Sequence, residues 1–173
     1  TPSRLAFLTV LFINVSNRWT LLIADVQAAF LQGSLGKRVL PLYMRPPRDQ
    51  ISLDANVFEA ALYEIKGNTY GLASAPLEWA REVETRLEQL GFKKQSLEPC
   101  LYMFYDSTGA LQCLVLVHVD DFVISHSQVF DIESLKNKFQ WGSMQTLAEE
   151  PTFCGRQLKG LDDGSILVHQ RDY

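Results

Sequence analysis

Three aspartates are the residues of this chain whose types and positions best suit chemistry. Asp25 ends the apolar run LLIAD, and Asp120 and Asp121 are adjacent in VLVHVDDFVIS, between two short apolar runs. Adjacent carboxylates repel each other and add nothing to a hydrophobic core, so their presence calls for a function. Two divalent cations, held close together for phosphoryl transfer, would supply one. A solvated hairpin turn is the alternative, because aspartate also favours turns.

Strand geometry limits how these acids can meet. Side chains alternate along an extended backbone, so only one of the adjacent pair would normally share a face with Asp25. We therefore expect Asp25 and Asp120 to be the main metal ligands, with Asp121 close by.

The size and composition fit one domain with a substantial core. The chain has 173 residues, of which 47% are hydrophobic. The longest apolar stretches, at 5–15 and 111–117, are too short and too interrupted to span a bilayer, so no membrane partner is expected. The start TPSRLAF lacks both an initiator Met and a signal-peptide pattern, so we expect the chain to be cut from a longer one.

Cysteines, histidines and net charge narrow the functional classes. Cys100, Cys113 and Cys154 are far apart and lack CxxC spacing, which argues against a zinc site or a disulfide framework and fits reduced, buried thiols in an intracellular setting. Among the histidines, His118 is of interest because it lies beside the acidic pair. The formal net charge of −4 lowers the affinity expected for nucleic acid.

Hydrophobic periodicity predicts a first helix and a buried strand. Thr1 and Pro2 resemble an N-cap and a first-turn proline, and helical spacing continues to about Asn17. The run TLLIADV predicts a buried strand, and 27–32 predicts a short helical segment. The apolar positions of the first helix would be Leu5, Leu8, Leu11, Phe12 and Val15.

A second helix is predicted between Ser74 as its cap and Gly91 as its stop, with Pro76 in the first turn. Its buried face would be Ala80, Val83, Leu87 and Leu90, and Trp79 is expected to be structural. VLPLYM, at 39–44, predicts a short extended stretch, whereas 57–65 is ambiguous between helix and strand.

The second half of the chain predicts strands and one more helix. CLYMFY, LQCLVLVHV and FVIS read as strands, and the last two form the acidic hairpin. Ser127 would cap a helix whose inward residues are Ile132, Leu135 and Phe139. TFCGRQL and SILVHQ predict a final hairpin. This order predicts an α+β domain with helices packed on one face of a mainly antiparallel sheet, and with Asp25 beside the acidic hairpin.

Three ordered blocks resemble the reverse transcriptase domain of copia-type LTR retrotransposons. The first is DVQAAFLQGSL at 25–35, continued by LYMRPP at 42–47. The second is YGLASAPLEW at 70–79, and the third is HVDD at 118–121. Weaker similarity continues to the end of the chain.

The resemblance implies an RNA-directed DNA polymerase with a polymerase palm-type (ferredoxin-like) antiparallel sheet. Residues 1–173 would form a single reverse-transcriptase palm domain, truncated at both ends, without fingers strands, thumb, connection or RNase H. Asp25, Asp120 and Asp121 match the catalytic carboxylates, which would hold two Mg²⁺ (or Mn²⁺) ions for nucleotidyl transfer to a primer 3′-hydroxyl.

The resemblance also implies substrate-binding residues and partners. Phe30 matches the steric gate that excludes a 2′-hydroxyl, although core packing is its alternative role. Tyr70 and Gly71 match the block that lines the nucleotide and template pocket, and His118 stands where the family usually has an aromatic residue. The partners would be an RNA or DNA template-primer, deoxynucleoside triphosphates and the remainder of a Gag-Pol-like polyprotein, in an intracellular, cytoplasmic particle.

Departures from the family pattern leave two other functions open. Where the second block commonly reads YGLKQxPRxW, this chain has Ala73, Ser74 and Leu77, so two cations and an amide are missing. A catalytically decayed or domesticated palm remnant, acting as a binding or assembly module, is therefore an alternative. The VDD hairpin alone would also permit another two-metal enzyme, such as a nuclease or phosphohydrolase, built on an unrelated sheet.

Overall fold

A computed structural model describes residues 1–33, 41–45 and 62–170. A six-stranded sheet in the order β4-β5-β6-β7-β1-β8 forms its centre, and every neighbouring pair in it is antiparallel. The elements, in chain order, are α1 (Arg4–Asn17), β1 (Thr20–Val26), α2 (Ala29–Gln32), β2 (Tyr43–Met44), β3 (Tyr63–Glu64), α3 (Ala75–Gln89), β4 (Lys93–Lys94), β5 (Leu101–Tyr105), β6 (Leu111–His118), β7 (Asp121–His126), α4 (Ile132–Lys136), β8 (Trp141–Thr146), a 3-10 helix (Leu147–Glu149), β9 (Thr152–Phe153), β10 (Arg156–Gly160) and β11 (Ile166–His169). The predicted α+β class with a mostly antiparallel sheet is confirmed.

The central sheet is covered on both faces. Strands β1, β6 and β7 each contain at least four consecutive buried residues, which is the pattern of strands packed on both sides. Helix α3 packs on one face, where Trp79, Val83 and Leu87 join the core. Helix α1 and the small sheet β11-β10-β9 cover the other face. The prediction of helices on one face is therefore wrong, because the apolar strands need cover on both sides.

Helix α1 begins and packs differently from its prediction. Ser3 is the N-cap, with its hydroxyl accepting a bond from the Ala6 amide, so Thr1 and Pro2 lie outside the helix. The buried face carries Phe7 and Val10, and the Phe7 ring stacks on Phe153 at a centroid distance of 5.4 Å. The predicted apolar positions Leu5 and Phe12 are 75% and 73% exposed, whereas Leu11 is buried. The helix has more apolar residues than one face can bury, so periodicity alone could not choose the face.

Helix α3 matches its predicted limits, with Ser74 as N-cap, Pro76 in the first turn and Gly91 at φ +90° just beyond its end. The Ser74 side chain makes no capping hydrogen bond. Val83 and Leu87 are buried as predicted, together with Ala75 and Trp79, whereas Ala80 is exposed and Leu90 is half-buried.

Helix α4 is capped by Asp131 rather than by Ser127. The Ser127 hydroxyl is instead bonded to the side-chain oxygen of Gln112, which ties it to β6. Leu135 and Phe139 are buried as predicted.

The other strands follow the predictions in part. Strands β5, β6 and β7 occupy the predicted segments, and β10 and β11 form the final hairpin. TFCGRQL, which was predicted as one arm of that hairpin, is divided by a turn into β9 and β10. Strand β8 was missed because its burial shows no clean alternation. Within VLPLYM, residues 43–44 form β2, and within 57–65, residues 63–64 form β3, whereas 39–40 and 57–61 lie outside the described residues. No helix in the described part of the chain is long and apolar enough to cross a bilayer.

Candidate active site

Strand pairing brings the first aspartate to the acidic hairpin. Asp25, near the end of β1, is the direct cross-strand partner of Asp121, the first residue of β7. The Val26 amide donates to the backbone oxygen of Asp120 at 2.8 Å, so the ladder continues into the turn. The predicted position of Asp25 beside the hairpin is therefore found.

The carboxylates of all three aspartates gather at one point. One oxygen from each of Asp25, Asp120 and Asp121 lies within 4.8 Å of the other two. Alternation along a strand does not separate the adjacent pair, because Asp120 lies in the turn and only Asp121 belongs to the strand. The sequence argument that favoured Asp120 over Asp121 thus assumed an extended backbone that the turn does not have.

The turn between β6 and β7 is conformationally costly. His118 pairs with Asp121, so Val119 and Asp120 form a two-residue loop. Val119 has φ +57°. A β-branched residue is disfavoured in this region, which glycine, asparagine or aspartate usually occupies in hairpins. Such strain persists only where the surroundings impose it, and it concentrates at functional sites.

Trp79 supplies part of that constraint. Its indole Nε1–H donates to the backbone oxygen of Val119 at 2.6 Å, and its ring is 1% exposed in the core. Helix α3 is thereby attached to the acidic turn. The sequence predicted a structural role for Trp79, but the hydrogen bond to the turn carried no signal in the sequence.

The electrostatics of the site disfavour three full negative charges. Partial burial, followed by the nearby Asp120 carboxylate, raises the pKa of Asp25. Burial, followed by the charges of Asp120 and Asp25, raises the pKa of Asp121, and His118 opposes this shift. A cation among the carboxylates would relieve the repulsion.

Gly142, on β8, makes room for the Asp25 carboxylate. A Cβ atom at this position would lie 2.7 Å from Oδ2 of Asp25, which is closer than real Cβ contacts come. A larger residue would therefore displace the carboxylate. Sequence reasoning missed this residue, because β8 was itself not predicted.

Helix α2, which follows β1, carries Phe30. Ala28, at φ +48°, turns the chain from β1 into this helix. The Phe30 ring is half-buried and lies 5.0 Å from the Tyr70 ring, centroid to centroid. Gly71 has φ +90°, with open space where a Cβ would stand. The structure thus brings Phe30 and Tyr70 together, and both roles suggested for Phe30 agree with its partial burial.

A polar cluster fixes the other end of α2. Arg86, on α3, donates to the Gln32 backbone oxygen at 2.8 Å and to the Lys138 backbone oxygen at 3.0 Å. The Gln32 side chain in turn bonds the backbone of Gln27 and Gln140. These contacts hold α2 against α3, and no motif in the sequence announced them.

His118 lies between the acidic turn and a neighbouring loop. Its Nε2 is 3.2 Å from Oγ1 of Thr1. One ligand atom from each of His118, Asp121 and Cys154 lies within 4.8 Å of the others. The three cysteines are free thiols, but the prediction that they are buried is correct only for Cys113, because Cys100 and Cys154 are half-buried. Spacing rules could not pair Cys154 with His118, because His118 ends β6 and Cys154 lies in the turn between β9 and β10.

Three of the residues that depart from the family pattern lie on the surface at the start of α3. Ala73, Ser74 and Leu77 are exposed at the start of α3, and Leu77 is 54% exposed. The packing of this helix therefore does not depend on the Lys and Arg side chains that the family pattern has at positions 73 and 77.

Comparison with known proteins places the chain among retroelement proteins. It is 26% identical over 150 residues to the putative transposon Ty5-1 protein of Saccharomyces cerevisiae, covering 86% of this chain and 46% of that protein. It is 28% and 29% identical to the retrovirus-related Pol polyproteins from transposons RE2 and RE1 of Arabidopsis thaliana, covering 94% of this chain and 11% of each polyprotein. The chain thus spans less than half the length of these relatives.

The family profile gives the same assignment over nearly the whole chain. The profile described as reverse transcriptase (RNA-dependent DNA polymerase) matches residues 4–173. Together with the transposon relatives, this match confirms the copia-type resemblance drawn from the three sequence blocks. The chain belongs to the reverse transcriptase (RNA-dependent DNA polymerase) family.

Proposed function

We propose that this chain is the palm-type catalytic domain of an RNA-directed DNA polymerase within a longer retrotransposon polyprotein. The observation that carries the proposal is the convergence of Asp25, Asp120 and Asp121 within 4.8 Å, on two paired strands and their turn. Residues 1–173 would act as one palm domain, in concert with other regions of the polyprotein. The length of the relatives supports this arrangement.

The donor atoms of the site suit Mg²⁺ or Mn²⁺. Three carboxylates form an all-oxygen set, which hard divalent cations prefer. The raised pKa values of Asp25 and Asp121 show that the protein alone leaves their charges poorly compensated. When bound, two such ions would activate a primer 3′-hydroxyl and stabilise charge on the pyrophosphate.

The contribution of the chain is to hold its carboxylates in place. Pairing of β1 with β7 fixes Asp25 against Asp121, and the hydrogen bond from Trp79 fixes the turn that carries Asp120. Precise placement of reacting groups contributes much of the rate in such enzymes. The template-primer and deoxynucleoside triphosphates would be the substrates.

Phe30 is proposed as the residue that contacts the incoming sugar. Its ring is supported by Tyr70 at 5.0 Å, and its helix is clamped through Gln32 to Arg86. A ring backed by Tyr70, on a helix that is held in place, can exclude a 2′-hydroxyl without being displaced. Substitution of Phe30 by Ala should raise the incorporation of ribonucleotides relative to deoxynucleotides, whereas an unchanged ratio would assign Phe30 to the core.

A second candidate is a palm remnant that binds or assembles without catalysis. The exposed Ala73, Ser74 and Leu77 favour it, because they leave the surface at the start of α3 without the cations that the family pattern has there. Each lost charge-assisted contact would weaken substrate binding by about 1.5 to 3 kcal/mol. The three gathered carboxylates favour catalysis instead, because a remnant gains nothing from their repulsion.

Two measurements separate the candidates. Electron paramagnetic resonance of added Mn²⁺ measures metal binding by this chain, and addition of deoxynucleotides to a DNA primer on an RNA template, by the polyprotein that contains the chain, measures catalysis. The active polymerase should bind Mn²⁺ and extend the primer, and Asp120→Asn should lose both activities while remaining folded.

The outcomes point to different conclusions. Mn²⁺ binding that depends on Asp120, without primer extension, would leave the metal site and favour the remnant. A folded chain that binds no Mn²⁺ would overturn the proposed metal site. The matched control is Asp106→Asn, which removes a carboxylate from the turn at the other end of β6.

A further inference from the structure

A second turn reaches the acidic hairpin from the small sheet. Phe153 pairs with Arg156, so Cys154 and Gly155 form a two-residue loop between β9 and β10. This loop brings a Cys154 ligand atom within 4.8 Å of those of His118 and Asp121. All three residues are half-buried, so solvent can reach them.

The backbone at Cys154 is unfavourable for a cysteine. Cys154 has φ +48° and Gly155 has φ +73°. Hairpin turns with two positive φ values favour Asn, Asp or Gly. The left-handed conformation is unfavourable for an L-residue. Val119, across the cluster, is strained in the same way at φ +57°. Two strained turns thus meet at Asp121, and strain of this kind concentrates at functional sites.

The donor atoms of this cluster differ chemically from those of the carboxylate site. It offers an imidazole nitrogen, a carboxylate oxygen and a thiol sulfur. Mg²⁺ takes oxygen ligands, whereas Zn²⁺ and Co²⁺ accept nitrogen and sulfur as well. Three protein ligands with an open fourth position is a common arrangement for tetrahedral zinc.

The distances are within reach of a zinc ion. Bond lengths of about 2.0 to 2.3 Å place tetrahedral ligand atoms roughly 3.3 to 3.6 Å apart. The ligand atoms lie no more than 4.8 Å from one another, so small side-chain rotations would close the site.

We propose that His118, Asp121 and Cys154 form a binding site for a thiophilic divalent cation of the Zn²⁺ class. The site shares Asp121 with the carboxylate cluster but draws its other ligands from different elements. A cation held here engages the carboxylate that Asp25 and Asp120 also need. Zn²⁺ would therefore compete with Mg²⁺ or Mn²⁺ for Asp121, and this consequence rests on the proposed polymerase function.

Co²⁺ is the probe that tests the site without any need for catalysis. Ligation by a thiolate gives Co²⁺ an intense charge-transfer absorption that carboxylate ligation does not give. The full chain should show this absorption on titration with Co²⁺, and Zn²⁺ should abolish it by displacement. Cys154→Ser should remove the absorption, and His118→Phe should weaken Co²⁺ binding by about tenfold or more.

Cys100→Ser is the matched control, because Cys100 is also a half-buried free thiol but lies outside the cluster. It should keep the absorption, as should Asp25→Asn, which instead loses Mn²⁺ binding at the carboxylate site. Failure of the zinc site and failure of the polymerase proposal are therefore distinguishable. Absorption that survives in Cys154→Ser, or its absence from the folded wild-type chain, would overturn the proposed site.

Discussion

The two turns at the ends of β6 both reverse the chain through a residue with positive φ, but they differ in the type of that residue and in the surroundings of their acids. The turn between β5 and β6 has Gly109 at φ +85° and the Asp106 carboxylate as a local acceptor. The turn between β6 and β7 has Val119 at φ +57° and two adjacent acids. The four donors to Asp106 are the Thr108 amide and hydroxyl, the Ala110 amide and the Gln112 side chain.

The acids of the two turns respond in opposite directions. Hydrogen bonding, first from the Thr108 hydroxyl, lowers the pKa of Asp106 to about 2. Burial and like charges raise the pKa values of Asp25 and Asp121. The first turn follows the local rules for a stable hairpin, and the second breaks them. Natural sequences break such rules mainly where function requires it.

The largest expected effect comes from removing a charge at the acidic turn. Asp120→Asn should lower Mn²⁺-dependent primer extension by at least about a hundredfold, since metal stabilisation of several kcal/mol is lost and each 1.36 kcal/mol is tenfold in rate. Extension that stays within a few-fold of the wild-type rate would show that the acidic turn has no catalytic role, and the functional contrast between the two turns would be lost.

The same substitution should raise the melting temperature of the metal-free protein at neutral pH. A carboxyl group with a raised folded-state pKa stabilises the fold below its unfolded value, 3.8 for Asp25, and this contribution is lost as the pH rises through the folded value. At neutral pH the wild type therefore carries the repulsion that Asp120→Asn relieves. A lower melting temperature in calorimetry would contradict this explanation.

Loss of the Trp79 hydrogen bond should have the next largest effect. Trp79→Phe removes the donor to Val119 and should lower kcat by about tenfold with little change in KM, together with a stability loss of about 1 kcal/mol. Trp141→Phe is the control, because it removes an indole donor to the Lys136 backbone instead. Equal losses of kcat in both variants would show that Trp79 acts through stability alone.

Substitutions at the positive-φ positions should change the free energy of unfolding differently in the two turns. Gly109→Ala should destabilise the protein by roughly 1 kcal/mol, because its Cβ meets no atom but its φ is unfavourable for alanine. Val119→Gly relieves comparable strain, which offsets the 0.5 to about 1 kcal/mol entropic cost of glycine. Urea denaturation should therefore find it neutral or stabilising. Equal destabilisation by both changes would remove the contrast in backbone strain.

The smallest effect is expected at the stable turn and only in acid. The lowered pKa of Asp106 means that its stabilising contribution is complete above the unfolded value of 3.8 and is lost as the pH falls to about 2. The melting temperature of Asp106→Ala should therefore be lower than that of the wild type above pH 3.8, and the two should converge near pH 2. A constant difference across this range would assign the effect to packing.

The sequence predicted the features that local patterns encode. The runs around Asp25 and Asp120 had the composition of buried strands, so the approach of these acids could be inferred before the structure. The sequence pattern could not identify the buried face of α1, where Phe7 is buried but Leu5 and Phe12 are exposed. That choice depends on the small sheet, whose Phe153 meets Phe7.

Features that depend on several separate turns were beyond local prediction. Cys154 reaches Asp121 only because the β9–β10 loop folds toward the acidic hairpin. The space for the Asp25 carboxylate likewise depends on Gly142, in an edge strand without alternating burial. Contacts of this kind arise from tertiary packing, which no spacing rule describes.

Helix α3 connects the acidic turn with the helix that carries Phe30, the two parts of the proposed active site. Trp79 joins it to the acidic turn, and Arg86, two helical turns later, joins it to the helix that carries Phe30. The Arg86 guanidinium also lies 5.9 Å from the centre of the Trp79 ring, so the two attachments contact each other. A small tilt of this helix would shift both the carboxylates and the aromatic ring. The catalytic rate and the selectivity for the sugar would then vary together, because both would depend on the position of helix α3.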